Sequence, residues 1–129
     1  LKIEENVEFK GFKSRSDLPS FYQKSTLTVV PLELEDVDGL FDGSIQESLA
    51  CGTAVAAFKP SPRKPLEGTF GFLVSKYADK AAREFSMLLD KREALKEIAL
   101  KGSRFVHSYC TEEVLKKKLR SEWEGLLRR

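Results

Sequence analysis

The sequence predicts an α/β fold: a Rossmann-like, doubly wound parallel sheet followed by C-terminal helices. Three observations carry this. Short β-branched or alanine-rich runs alternate with helical stretches. The runs Leu27-Thr28-Val29-Val30 and Ala54-Val55-Ala56-Ala57-Phe58 lack a polar alternation, as strands covered on both faces do. From Ala78 onward every apolar spacing is helical. Alternating strands and helices that end in a run of helices select a sheet with crossover connections.

Taken in order, Val7-Glu8-Phe9 reads as a short strand ended by Gly11. Asp17 is placed to cap a helix with Pro19 in its first turn and Phe21 and Tyr22 as buried contacts. The strand at Leu27 stops at Pro31, and a polar loop rich in Asp and Gly runs from Glu33 to Gly43. A helix from Ser44 to Cys51 follows, with Gly52 where a left-handed C-cap is favoured. After the strand at Ala54 come a Pro60–Pro65 loop and a last strand, Phe70 to Val74. Ala78, Ala81, Ala82, Phe85, Leu88 and Leu89 form one helical stripe, and Leu95, Ile98, Phe105 and Val106 a second, with Gly102 a weak point in it. Thr111 caps the last helix, Glu112 and Glu113 suit its first turn, and Val114, Leu115, Leu119, Trp123 and Leu126 form its apolar face.

Composition narrows the functional classes. A chain of 129 residues with 41% hydrophobic content holds one domain, residues 1–129, with one sizeable core. With 22 basic against 20 acidic residues there is no basic stripe for nucleic acid, and the clusters at Lys10–Arg15 and Lys116–Lys118 read as solvated surface. Cys51, Cys110 and the single His107 are too few and too scattered for a zinc site, so no metal is expected. Cys51 reads as a small buried hydrophobe and His107 as a surface or helix-packing residue. No apolar run reaches the roughly 20 residues that span a bilayer. A cytoplasmic protein is the expectation.

In parallel sheets, ligands sit beyond the carboxyl ends of the strands. Asp42-Gly43-Ser44-Ile45-Gln46-Glu47 places small residues at a helix start, where free amides and the helix dipole suit a phosphate. Glu47, one turn in, suits the vicinal hydroxyls of a ribose. Ser44-x-x-Glu47 also matches a capping box, in which the two residues satisfy each other's backbone amides. Spacing leaves both readings open. Lys59, Arg63 and Lys64 are the clustered bases that could supplement a phosphate site.

The run Glu47-Ser48-Leu49-Ala50-Cys51-Gly52-Thr53-Ala54-Val55 is similar to the Glu-Ala-Leu-Ala-Cys-Gly-Thr-Pro-Val segment of group 1, retaining glycosyltransferases of the GT-B fold. Asn6-Val7-Glu8-Phe9-Lys10-Gly11 resembles their Asn-Val-x-Phe-x-Gly strand. Leu18 to Tyr22, Val30-Pro31-Leu32 and Gly71-Phe72-Leu73-Val74 resemble later landmarks in the same order.

The resemblance implies the C-terminal, donor-binding half of a GT-B enzyme, truncated at its N-terminal side. It implies a nucleotide-diphosphate sugar as substrate, no cofactor, and transfer with retention and without a metal ion. Glu47 would hold the ribose, the amides of Gly43, Ser44 and Ile45 would face the diphosphate or sugar, and the loop at Gly11 would lie beside the base. Gly39 stands where the family has a second Glu, with Asp38 and Asp42 as the substitutes at hand. No catalytic residue is assigned. The acceptor would sit on a missing domain or a partner polypeptide, with room for peripheral membrane association of the complete enzyme and for an oligomer through an exposed sheet edge. The alternatives are a non-catalytic interaction or scaffold domain of the same fold, or another GT-B enzyme acting on a nucleotide sugar.

Overall fold

The computed structural model describes residues 3–31, 43–58 and 71–128. Its elements are α1 (Leu18–Lys24), β1 (Leu27–Val30), α2 (Gly43–Ala50), β2 (Ala54–Phe58), β3 (Gly71–Val74), α3 (Ala78–Asp90), α4 (Arg92–Tyr109) and α5 (Glu112–Leu127). Among the described residues the sheet has three strands in the order β1-β2-β3, all parallel. Leu27 pairs with Ala54, and Val55 with Gly71. The expected α/β class and parallel sheet are therefore present.

The central strand is the most buried. Ala54 through Ala57 are at most 2% exposed, so small side chains stand where helices approach the sheet closely. Val55 and Ala57 point to one face and pack with Val30, with Ile45 and Leu49 of α2 and with Val106 of α4. Ala54 packs with Leu95 and Ala99 of α4, joined by Leu27 and Phe72. Burial of each large apolar side chain such as Ile45 or Leu49 stabilises the fold by about 1.5–3 kcal/mol. Val29 is 43% exposed, so cover is incomplete over β1.

Several expectations need correction. Val7–Phe9 is not a strand: a single turn of 3₁₀ helix, Glu4–Asn6, leads into irregular backbone. Phe9 is 94% exposed, and Glu8 pairs with Lys10. The segment thus buries nothing that would offset the entropy of ordering it against the sheet. Asp17 precedes α1 but makes no side-chain cap bond, because its carboxylate accepts a hydrogen bond from the Ser14 hydroxyl at 2.6 Å instead. The second helix begins at Gly43, one residue before its expected start. It ends as expected, with Gly52 at φ +76° and the Gly52 and Thr53 amides donating to the carbonyls of Leu49 and Ser48.

Along α3 only Ala81 is buried; Phe85 and Leu88 are half-buried, and Ala82 and Leu89 face solvent. Its stripe is therefore narrower than the spacing suggests. In α4 the buried residues are Leu95, Ala99, Gly102 and Val106. Gly102 is a contact point rather than a weakness, since it admits Leu49. Thr111 caps α5 as expected, its hydroxyl accepting from the Val114 amide at 3.4 Å. No residue of α5 is buried. Leu119 is 60% exposed and Trp123 and Leu126 are each 65% exposed, so most of the expected apolar face stands open among the described residues, while Val114 at its start is half-buried. No helix among the described residues is long and apolar enough to cross a membrane.

Candidate functional site

The candidate site is built where α1 meets α2. β1 and β2 run side by side, and the segments that flank them bring Tyr22 of α1 over Glu47 of α2. The Tyr22 hydroxyl donates to Glu47 Oε2 at 3.1 Å. Behind this contact lies a buried polar bridge. Thr53 Oγ1 donates to the Tyr22 carbonyl at 2.6 Å. Ser48 Oγ donates to Thr28 Oγ1 at 2.8 Å, with the Thr53 carbonyl also within reach at 3.2 Å. Ser48 and Thr53 are both buried, and their hydroxyls are satisfied, as buried polar groups must be.

A cavity of about 310 Å³ opens beside this contact, lined by Arg15, Leu18, Pro19, Tyr22, Glu47, Ala50 and Cys51. Its lining is largely apolar, and Arg15 and Glu47 are the charged residues in it. Such a surface suits a flat, partly polar ligand bearing hydrogen-bond donors. Burial, and then the Glu47 charge beside it, push the Cys51 thiol above its ordinary pKa. Cys51 is only half-buried, so the expectation of a buried hydrophobe is corrected: it forms part of the cavity wall. Both cysteines are free. His107 packs as expected, with Nε2 3.2 Å from the Ala50 carbonyl at the end of α2.

The expected site residues divide among five situations. Glu47 lines the cavity, half-buried. Gly43 and Ser44 occupy the first turn of α2, where Ser44 is inside the helix and not at the cap position a capping box requires. Ile45 is fully buried in the core, so its side chain is structural. Gly11 is exposed with φ +61° and lies outside the cavity lining. Asp38, Gly39 and Asp42 fall outside the described residues, as do Lys59, Arg63 and Lys64. Arg15, Leu18 and Pro19 were not foreseen as site residues. Arg15 reads as solvated surface in sequence because its role depends on the approach of α2, distant along the chain. No group of three or more His, Cys, Asp or Glu that could hold a metal ion occurs among the described residues.

The family model described as glycosyl transferases group 1 matches residues 1–104. The chain belongs to this family. Its group 1 membership agrees with the fold, which matches sucrose-phosphate synthase from Thermosynechococcus elongatus with a TM-score of 0.81 at 21% identity. That match covers 98% of this chain and 31% of the synthase chain, so this chain spans about a third of that protein's length. Comparison with curated proteins gave no significant match.

Proposed function

We propose that this domain binds the nucleotide-diphosphate sugar donor of a retaining glycosyl transfer, with Glu47 accepting hydrogen bonds from the ribose. The observation that carries the reading is the position of Glu47, the residue that the family resemblance assigns to the ribose. Its carboxylate sits in the wall of the 310 Å³ cavity and is oriented by Tyr22. The apolar lining formed by Leu18, Pro19 and Ala50 offers a surface for a base, and Arg15 offers a cation. The amides at the Gly43 start of α2 are the place for the diphosphate.

The acceptor belongs to a further domain or partner polypeptide. The open apolar face of α5 supports this reading, since Leu119, Trp123 and Leu126 form an anchor of the kind interfaces bury. The two free thiols fit a reducing compartment such as the cytoplasm.

Calorimetric titration with uridine, guanosine and adenosine diphosphates and their sugars tests the donor site. Glu47→Gln keeps the helix and the size of the side chain but weakens its acceptor strength. Binding should fall about tenfold, the scale of one charge-assisted hydrogen bond. Glu47→Gln binding as tightly as the parent would remove Glu47 from the ribose.

A further inference from the structure

Resting on the ribose reading of Glu47, we propose that Tyr22 is the positioning residue that makes the site select ribonucleotides over nucleotides lacking both ribose hydroxyls. A carboxylate on a half-buried wall can rotate, and a rotating carboxylate does not hold two adjacent hydroxyls at once. Tyr22 removes that freedom. Its hydroxyl holds Glu47 Oε2 at 3.1 Å across two helices. Its own backbone is fixed from the opposite side, where the Tyr22 carbonyl accepts both the Thr53 hydroxyl at 2.6 Å and the Ser25 amide at 2.9 Å. Thr53 is in turn held by its amide, which donates to the Ser48 carbonyl at 3.0 Å at the glycine-ended terminus of α2. The brace therefore closes on itself: α2 carries Glu47, the turn after α2 anchors Tyr22, and Tyr22 returns to Glu47.

The stoichiometry of acceptors leaves space for the ligand. An ionised carboxylate has about four lone-pair positions, and Tyr22 takes one of them on Oε2. Oε1 and the remaining positions accept from two vicinal hydroxyls, provided the carboxylate plane is held still. A sugar lacking both hydroxyls cannot use this arrangement, so the plane's orientation matters only for the ribose. Tyr22 also lines the cavity, and its ring is retained when only the hydroxyl is removed. Its two contributions can therefore be separated.

The test uses the full chain and its Tyr22→Phe variant, with ribonucleoside diphosphates and their 2′,3′-dideoxy counterparts compared by calorimetry. The parent should prefer the ribonucleotide. Tyr22→Phe should bind the ribonucleotide about tenfold more weakly, as loss of one hydrogen bond to a charged group implies, and the dideoxy compound equally well. A merely structural Tyr22 would lower both affinities together and leave their ratio unchanged, and that result overturns the proposal. A parent without preference for the ribonucleotide overturns the ribose reading of Glu47 itself, and Tyr22 with it. In the double variant with Glu47→Gln, the loss of preference should not add to that of Glu47→Gln alone.

Discussion

A Cβ on Gly102 of α4 would stand 2.5 Å from Leu49 Cδ2 of α2. Leu49 is fully buried against Val30, Val55 and Val106, so its terminus has little space to swing aside. Two opposed effects set the outcome of Gly102→Ala. Helix propensity favours alanine by about 1 kcal/mol. Overpacking a close core costs about 1–3 kcal/mol. The expected outcome is a net loss of up to about 2 kcal/mol in urea unfolding, the overpacking cost less the propensity gain. Combined with Leu49→Ala, the glycine substitution should cost less than it does alone, since the alanine removes the clashing carbons.

The Ser48 bridge gives a second prediction. Ser48→Ala leaves Thr28 without the hydroxyl it meets at 2.8 Å in a partly buried setting. A loss of about 1–2 kcal/mol should follow, because a half-removed buried pair costs more than the pair contributes. Thr28→Val with Ser48→Ala replaces both partners by apolar groups of similar shape, and its stability should return close to the parent's.

Cys51 should be a slow nucleophile at neutral pH. Its raised pKa reduces the thiolate fraction, and thiolate is the reactive form. Part of the shift comes from the Glu47 charge, which opposes a second negative charge nearby. Glu47→Gln removes that charge, so the thiol pKa should fall and alkylation of Cys51 should speed up near pH 8. Mass-spectrometric iodoacetamide labelling across pH reads this directly. An unchanged profile would mean that burial alone sets the shift.

Exposed α5 side chains should contribute little to the stability of this chain. Leu119→Gln and Trp123→Gln should each shift unfolding by no more than about 0.5 kcal/mol, as surface substitutions do. On the proposed reading, the same changes should weaken association with an added acceptor-binding domain, measured by titrating one polypeptide against the other.

Alone, the chain should transfer no sugar. Holding donor and acceptor together supplies about 7–11 kcal/mol of a barrier, and a domain that binds only the donor, as proposed above, lacks that positioning. An assay with several nucleotide sugars and added acceptors checks this, and turnover at ordinary enzymatic rates would contradict it.

The strands at Leu27 and Ala54, the glycine-ended α2 and the Thr111 cap were legible because each rests on local chemistry: β-branched runs, a left-handed glycine, a hydroxyl at a helix start. Glu47 was singled out from its place in a familiar run of residues, and it lines the cavity. Arg15 and the Tyr22–Glu47 contact were not, because they arise from the approach of α1 to α2, which no local spacing encodes. Val7–Phe9 misled for the opposite reason. Alternation marks a segment able to form a strand, but pairing decides whether it does, and here Phe9 stays in solvent. The stripes of α3 and α5 show the same limit: spacing defines an apolar face without saying what covers it.

The wholly parallel order of the strands also sets a sequence of events in time. Parallel neighbours are not joined by a hairpin, so Leu27 meets Ala54, and Val55 meets Gly71, only after closure of the many residues between them. Helices such as α4 and α5 form in about a microsecond from near neighbours, whereas the sheet must wait for these closures. Among the described strands β2 is the gate, because it pairs on both sides. Substitutions at Val55 or Ala57 should therefore slow folding, while those on the open face of α5 leave its rate unchanged.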